Sequence, residues 1–245
     1  MPRVLALLLP LLLSACFDLR EEVRVEPDGS GRLTFDYTVP REAIMVAGGE
    51  VGIREKIDAL LVEEPKVRLE TLEITDKDDR ANIHIEIAAD SMLALGNLKE
   101  TEAFQELPAT SRNLAGTFDV RIDGTSVRVD RRIEVARALG FAALAIGAED
   151  REQRQLEYII HLPKAAAEHN ADTVENGGRT LIWKRSLGAA LDGPVLIHYA
   201  APIPLPVWFI PAVILVAMLA ILGLITLVRR IRRRWKRNAA PVATP

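Results

Sequence analysis

The chain of 245 residues contains one cysteine and four histidines. With a single thiol, no disulfide can form within the chain, so the fold has to be stabilised by its hydrophobic core. None of the histidines (His84, His161, His169 and His198) belongs to a His-x-x-x-His motif or stands at metal-ligand spacing from a carboxylate, so no metal ligand is expected. A Gly-x-Ser-x-Gly elbow is also absent. These absences argue against an enzyme, and we expect no catalytic residue and no cofactor.

The amino terminus has the order of an export signal. Arg3 supplies a positive charge, residues 4–13 are apolar or proline, and Ser14 and Ala15 are small. Ten residues of helix rise only about 15 Å, half of the hydrocarbon core of a bilayer, so this run is too short for a membrane span. We therefore expect residues 1–15 to be a signal peptide that is removed from the mature protein.

The single cysteine directly follows this segment. Leu13-Ser14-Ala15-Cys16 resembles the bacterial lipobox, in which leucine and two small residues precede a modified cysteine. The resemblance implies cleavage between Ala15 and Cys16 and a diacylglycerol on the Cys16 sulfur. It also implies a further acyl chain, such as palmitate, on the new amino terminus. The alternative is an ordinary signal peptide whose mature chain happens to start near a cysteine.

A second apolar run lies near the carboxyl terminus, where residues 207–228 carry no charge. As a helix this run would measure about 33 Å, enough to cross a bilayer, and we expect a transmembrane helix over 206–228. A buried core helix is the alternative, but Thr226 is the only polar side chain in the run. Trp208 and Trp235 are spaced as aromatic anchors for the two membrane interfaces.

The residues that follow this run are strongly basic. Basic residues next to a span mark the cytoplasmic side, which predicts a cytoplasmic tail over 229–245 and an extracytoplasmic domain over 16–205. The cluster could also bind nucleic acid, but its position favours a stop-transfer signal that contacts anionic lipid. We expect the protein to remain in the inner (cytoplasmic) membrane, single-pass and lipid-anchored. The cluster consists of Arg229, Arg230, Arg232, Arg233, Arg234, Lys236 and Arg237.

Residues 16–205 are expected to form one acidic domain. Of the 31 basic residues, Arg3 and seven in the tail lie outside this segment, whereas all 34 acidic residues lie within it, so its net charge is −11. A domain of this charge repels nucleic acid and anionic headgroups. We therefore expect partners that are proteins or apolar ligands, together with the lipids of the membrane, and no nucleic acid.

Alternating apolar and polar residues predict strands along most of this domain. Together with the helices predicted below, these strands predict an α+β fold. In this fold an antiparallel sheet of hairpins, with about eight or nine strands, carries two or three helices on one face. One C-terminal transmembrane helix completes the prediction. Three hairpins and three further strands are expected, in order, over 23–39, 67–88, 116–135, 156–162, 180–187 and 194–200.

Helical spacing of apolar residues predicts an amphipathic helix near 50–63. A weaker helix is expected over 91–107, with Ser91 or Asp90 as its cap. The segment 138–148 carries no charge and leaves two alternatives open. It forms an apolar lid or a loop that touches the bilayer, or it forms a short buried helix whose inward residues are Leu139, Ala142, Ala143 and Ile146.

The layout of the chain resembles that of a known family. The lipobox is followed by a strand, the turn Asp28-Gly29-Ser30-Gly31 and a second strand. Later come a strand ending in Leu162-Pro163, the run His169-Asn170-Ala171, a turn at Gly177-Gly178 and a strand that carries Trp183. This order resembles the LppM-type lipoproteins of the bacterial envelope. The resemblance implies an α+β domain with an apolar cavity that binds lipid or glycolipid, and it supplies no catalytic motif.

Two functions are therefore weighed. The first is a membrane-anchored lipoprotein whose extracytoplasmic domain binds lipid or another apolar envelope ligand. The alternative is a non-enzymatic subunit or scaffold of an inner-membrane protein assembly. An apolar cavity of a few hundred Å³ would favour the first, because that is the usual size of a ligand site. A solid core with a large exposed apolar patch would favour the second.

Overall fold

The structure is a computed structural model, which describes residues 18–77, 80–203, 214–215 and 218–219. Ala15, Cys16, Trp208, Trp235 and the basic cluster lie outside the described residues. The chain divides into one compact unit that ends at Pro204 and a second that starts at Leu205. All strands and helices named here belong to the first unit.

The described part of the first unit contains eleven strands and eight α-helices. The strands are β1 (Asp18–Val25), β2 (Gly31–Pro40), β3 (Val67–Lys77), β4 (Arg80–Ala89), β5 (Thr117–Asp123), β6 (Ser126–Ile133), β7 (Gln155–His161), β8 (Glu168–His169), β9 (Thr173–Glu175), β10 (Thr180–Ser186) and β11 (Val195–Pro202). The helices are α1 (Arg41–Val46), α2 (Gly49–Val62), α3 (Met92–Leu98), α4 (Glu102–Glu106), α5 (Ala109–Ala115), α6 (Val135–Leu139), α7 (Ala148–Gln153) and α8 (Leu187–Asp192), and a 3₁₀ helix spans Gly140–Ala145.

The strands form two sheets, so the predicted single antiparallel sheet with two or three helices on one face is wrong. A seven-stranded sheet has the order β3-β4-β2-β1-β7-β10-β9, and a four-stranded sheet has the order β5-β6-β11-β8. Within the larger sheet β1 and β7 are parallel, and Leu19 lies beside Leu156. Alternation within a strand shows which residues share a face but not which strand will lie next to it.

The C-terminal transmembrane helix of the predicted fold is also not supported. Among the residues that the structure describes, no helix has the length and the apolar content needed to cross a membrane. Of the predicted span 206–228, only Ile214, Leu215, Met218 and Leu219 are described, and the rest lies outside the described residues.

The three predicted hairpins are confirmed as antiparallel pairs: β1 with β2, β3 with β4, and β5 with β6. In the first turn the Asp28 carboxylate accepts bonds from the amide and the hydroxyl of Ser30, at 3.0 and 2.6 Å. These bonds lower the pKa of Asp28. Gly29 follows at φ +88°, a backbone conformation that glycine adopts without strain. The glycine-rich stretch is therefore a hairpin turn.

The main core lies between the two sheets. Trp183 on β10 is fully buried, and its indole N–H donates to Asn170 Oδ1 at 2.8 Å. The same oxygen accepts the amide of His198 at 2.8 Å, so the Asn170 side chain links β10 to β11. The buried aliphatic residues around Trp183 come from both sheets, among them Leu156, Leu181, Ile133, Val195 and Ile197.

The helices confirm one prediction and correct another. α2 matches the predicted amphipathic helix, and its Leu61 is buried against β3 and β4. The predicted helix over 91–107 is instead two short helices, α3 and α4, and Ser91 precedes α3 without a capping bond from its side chain. In 138–148, Ile146 is buried and Leu139 packs on the core, as expected for a buried helix, but Phe141 and Leu144 are exposed.

Candidate functional site

Part of the apolar face of the seven-stranded sheet is only partly covered by the rest of the domain. Strands β1, β7 and β10 share the main core with β11 of the smaller sheet. At another part of the face, α2 and α3 pack on β3 and β4. Between these two contacts, several apolar side chains of β2, β3 and β4 are only half-buried, and one of them, Tyr37, also packs against the main core. We call this surface the open apolar face, and it consists of Phe35, Tyr37, Ile74, Ile83 and Ile85.

The strand register shows that the open apolar face continues the surface of the core. Tyr37 pairs with Leu19 on one side and with Ile83 on the other. Directly paired residues project from the same face of a sheet, and Leu19 is buried in the core. Phe35, two residues before Tyr37, projects the same way, and the two rings stack with their centroids 6.1 Å apart.

A second apolar surface lies on β5, the edge strand of the smaller sheet. Phe118, Val120 and Ile122 alternate along it and so share one face. All three are exposed, and Val120 retains 42% of its accessible surface. We call these three residues the β5 row. Phe118 pairs with Arg131 on β6, whose side chain enters the space between the sheets. The β5 row therefore lies on the face of the smaller sheet that is turned toward the larger one.

A buried ion pair joins the two sheets where these surfaces meet. The Arg131 guanidinium donates to both carboxylate oxygens of Glu21, at 2.5 and 3.3 Å, and its Nε donates to the Ala115 carbonyl at 3.0 Å. Glu21 is on β1 and Arg131 on β6, and both side chains are largely removed from water. The guanidinium also lies over the Phe118 ring, 4.6 Å from its centroid, which is a favourable cation–π distance.

Two tyrosines of the larger sheet stand beside this ion pair. Burial raises the pKa of Tyr158, and the Glu21 carboxylate raises it further. Burial is also the main cause that raises the pKa of Tyr37, and the neighbouring Glu21 adds to it. Both phenols are therefore neutral hydrogen-bonding groups. The Tyr158 hydroxyl is buried and has no hydrogen-bond partner among the described residues, so a water or a polar ligand atom would gain a bond there.

The arrangement combines apolar surface with one group of polar residues, Arg131, Glu21 and Tyr158, which we call the polar point. The open apolar face and the β5 row supply aliphatic and aromatic contacts, while Arg131, Glu21 and Tyr158 supply charge and hydrogen bonds at the place where the sheets meet. Sites that bind small amphiphilic molecules have this composition, with mostly apolar walls and a few convergent polar groups. We therefore take this region as the candidate functional site.

A polar hollow of about 290 Å³ occurs on the opposite face of the larger sheet. Thr38 donates to Asn82 at 2.9 Å there, and His84 Nδ1 lies 2.7 Å from the Asp36 carboxylate. The hydrogen bond that the Asp36 carboxylate accepts from the imidazole is the main cause that raises the pKa of His84. Because its walls are mostly polar and charged, this hollow differs in character from the candidate site.

We expect His84 to titrate above the usual histidine pKa of about 6.5. A raised pKa means that the folded protein binds the proton more tightly than the unfolded chain. The resulting stabilisation is present below the unfolded pKa and is lost as the pH rises through the folded pKa. Side-chain NMR titration of the full chain measures this value. The substitution Asp36→Asn should lower it, and an unchanged pKa in that variant would contradict the assignment.

The histidines show what the sequence could not reveal. Each of three histidines contacts a carboxylate, but that carboxylate lies on a neighbouring strand: His84 with Asp36, His161 with Glu22 at 2.9 Å, and His198 with Asp130 at 2.6 Å. The partners are far apart in the sequence, so the spacing of residues along the chain does not reveal these pairs. Among the described residues, no three metal-ligating side chains are grouped so that they could hold an ion.

Sequence reasoning missed Glu21 and Arg131 as partners. Glu21 and Glu22 are adjacent and project to opposite faces of β1, since Glu21 is buried and Glu22 pairs with Arg20 and Arg24 at the surface. One signal was present, because Glu21 occupies an inward position in the alternation of Leu19, Glu21 and Val23. An acidic residue at an inward position needs a buried partner.

Comparisons with known proteins show limited similarity. No family model and no curated protein matches the chain. Among solved structures, the folded domain of the Mycobacterium tuberculosis protein LppM, determined by NMR, is similar with a TM-score of 0.47 and 16% identity, over 79% of this chain and 93% of that one. The mu homology domain of Fcho1 from Danio rerio, with a bound Eps15 peptide, scores 0.26 with 13% identity over 76% of each chain. Neither score is high enough to carry an argument about function.

Proposed function

We propose that this chain is an exported lipoprotein, attached to an envelope membrane through Cys16, whose two-sheet domain binds a lipid or another apolar ligand. The observation that carries the proposal is the open apolar face, which lies next to the exposed β5 row with the Glu21–Arg131 pair between them. Burying this surface against an apolar chain would release about 25 cal/mol for each Å² removed from water. The proposal assigns no catalytic step.

The ligand class follows from the chemistry of the two surfaces. Acyl chains match the aliphatic and aromatic side chains of the open apolar face. The net negative charge of the domain disfavours strongly anionic headgroups at its surface. Arg131 and the Tyr158 hydroxyl are placed to meet one polar group of the ligand, because they lie at the end of the apolar surface.

Photo-crosslinking in the full-length protein tests this proposal. A photoreactive amino acid at Val120 probes the β5 row, and one at Leu196 serves as the matched control. Both positions are exposed, at 42% and 49%, but Leu196 pairs with Arg132 and therefore lies on the outer face of the same sheet. We expect lipid adducts at Val120, detected by mass spectrometry, and few at Leu196. Equal or absent adducts at the two positions would contradict the proposal.

The alternative function is a non-enzymatic subunit or scaffold of a membrane protein assembly. One observation favours it: β5 is an edge strand with an exposed apolar row, and an edge strand of this kind is open to pairing with another chain. The same experiment separates the two functions. A protein adduct at Val120, without lipid, would support the assembly subunit over the ligand-binding domain.

A further inference from the structure

Two of the most exposed large apolar side chains lie together on the 3₁₀ helix Gly140–Ala145. Phe141 retains 88% of its accessible surface and Leu144 retains 79%. A 3₁₀ helix has three residues per turn, so residues three apart project in the same direction. The two side chains therefore form one small apolar protrusion, which we call the 141/144 protrusion.

The protrusion stands on an ordered base. Arg151 donates from Nε to the Ile146 carbonyl at 3.1 Å and from Nη2 to the Ala143 carbonyl at 3.0 Å. On either side, Ala138 and Ile146 are buried. These hydrogen bonds and buried side chains fix the backbone on both sides of the protrusion. Phe141 and Leu144 are therefore exposed in the folded domain.

The position of the protrusion connects it to the amino terminus. Helix α7 begins at Ala148, spans six residues and is about 9 Å long. Arg154, immediately after it, donates to the Asp18 carboxylate at 2.8 Å, and the amide of Gln155 donates to the same carboxylate at 3.2 Å. Asp18 begins β1 and stands two positions after Cys16, with only Phe17 between them, so the chain can span at most about 7 Å between the two residues. The protrusion and Asp18, the first residue of β1, therefore lie at the same end of the domain, and the proposed acylation site precedes Asp18 by two positions in the sequence.

We propose that Phe141 and Leu144 insert into the surface of the bilayer to which Cys16 is anchored, and so hold the domain in one orientation. This inference rests on the proposed lipid anchor at Cys16. The acyl chains supply attachment but leave the domain free to rotate. The apolar protrusion supplies a second contact, and two contacts restrict that rotation. Such contacts between exposed aromatic or leucine side chains and the acyl boundary are typical of interfacial proteins.

Site-specific fluorescence in vesicles tests the inference. An acylated Cys16 has no free thiol, so a new cysteine at Leu144 is the one site that an environment-sensitive dye can label. The matched control is a cysteine at Val62, which is equally exposed at 80% but is the last residue of α2. Strand β3 begins at Val67, shortly after this helix, and Val67 pairs with Ala89. This pair lies at the end of the sheet opposite to Asp18.

In full-length protein reconstituted into phosphatidylethanolamine and phosphatidylglycerol vesicles, we expect the dye at Leu144 to brighten several-fold. Nitroxide groups on the lipid acyl chains should quench it, while the dye at Val62 stays in water. Equal emission at the two positions would overturn the inference, as would a bright dye at Leu144 that lipid nitroxides do not quench. Two labelled thiols per chain would show instead that Cys16 is not acylated, which separates failure of the anchor from failure of the contact.

Discussion

Replacing Arg131 with leucine is expected to lower the free energy of unfolding by about 3–5 kcal/mol, because it leaves the Glu21 carboxylate buried without its partner. The carboxylate then loses the two hydrogen bonds that it accepts from the guanidinium. The measurement is urea unfolding of the full-length protein in detergent, followed by circular dichroism. Two-state behaviour of the first unit is required to convert the midpoint into a free energy.

Arg128 supplies the matched control for this prediction. It lies on the same strand, three residues before Arg131, and pairs with Glu168 at 3.0 Å, but both side chains are open to solvent. A surface pair contributes about 0–1 kcal/mol, so Arg128→Leu should have a small effect. If Arg131→Leu were no more destabilising than Arg128→Leu, the ion pair between the sheets would not be buried as described.

The double variant Glu21→Leu with Arg131→Leu separates charge burial from packing. Replacing both members of a buried ion pair with apolar residues is often neutral for stability. We therefore expect the double variant to recover most of the stability that Arg131→Leu loses. It also removes the polar point of the candidate site, so lipid crosslinking at Val120 can be compared between two proteins of similar stability.

Replacing Cys16 with serine is expected to abolish both acylation and processing. Serine has no thiol to accept the diacylglycerol, and the cleavage that the lipobox implies comes after Ala15, next to the modified residue. Incorporation of an alkyne-labelled fatty acid should fall to background, and intact mass should show residues 1–15 still attached. Ser14→Ala is the control, because it keeps a small residue at that position and should leave both steps intact. An acylated Cys16→Ser protein would refute the anchor.

The substitutions at Arg131 and Cys16 test different properties of the protein, its stability and its attachment to a membrane. Arg131→Leu tests how the domain is held together, and it needs only the described fold. Cys16→Ser tests where the domain is held, and it follows from four residues of sequence, Leu13 to Cys16. The inferred membrane contact of Phe141 and Leu144 depends on both, because the fold places that protrusion at the end of the domain where β1 begins, and the proposed lipid anchor is two positions before Asp18 in the sequence.

The local pattern of apolar and polar residues was enough to predict the hairpins and α2. In β2 and β4 every second residue is apolar, and the turn residues around Gly29 lie between two such runs. Residues close together in the chain therefore predict both the strands and the turn. The same is true of the apolar spacing in α2. The helix expected over 91–107 failed because Thr101 starts a new helix, accepting the Phe104 amide at 3.2 Å. That capping contact starts α4 after three residues that belong to neither helix.

The sequence by itself determined which faces of the strands are apolar and where the chain turns, since each depends on residues close together in the chain. Only the tertiary structure decided that the strands divide into two sheets of unequal width, and that β1 lies beside β7. It also decided that Glu21 meets Arg131 across a separation of 110 residues. The physical reason is that burial and charge pairing depend on neighbours in space, and those neighbours exist only after the sheets have packed together.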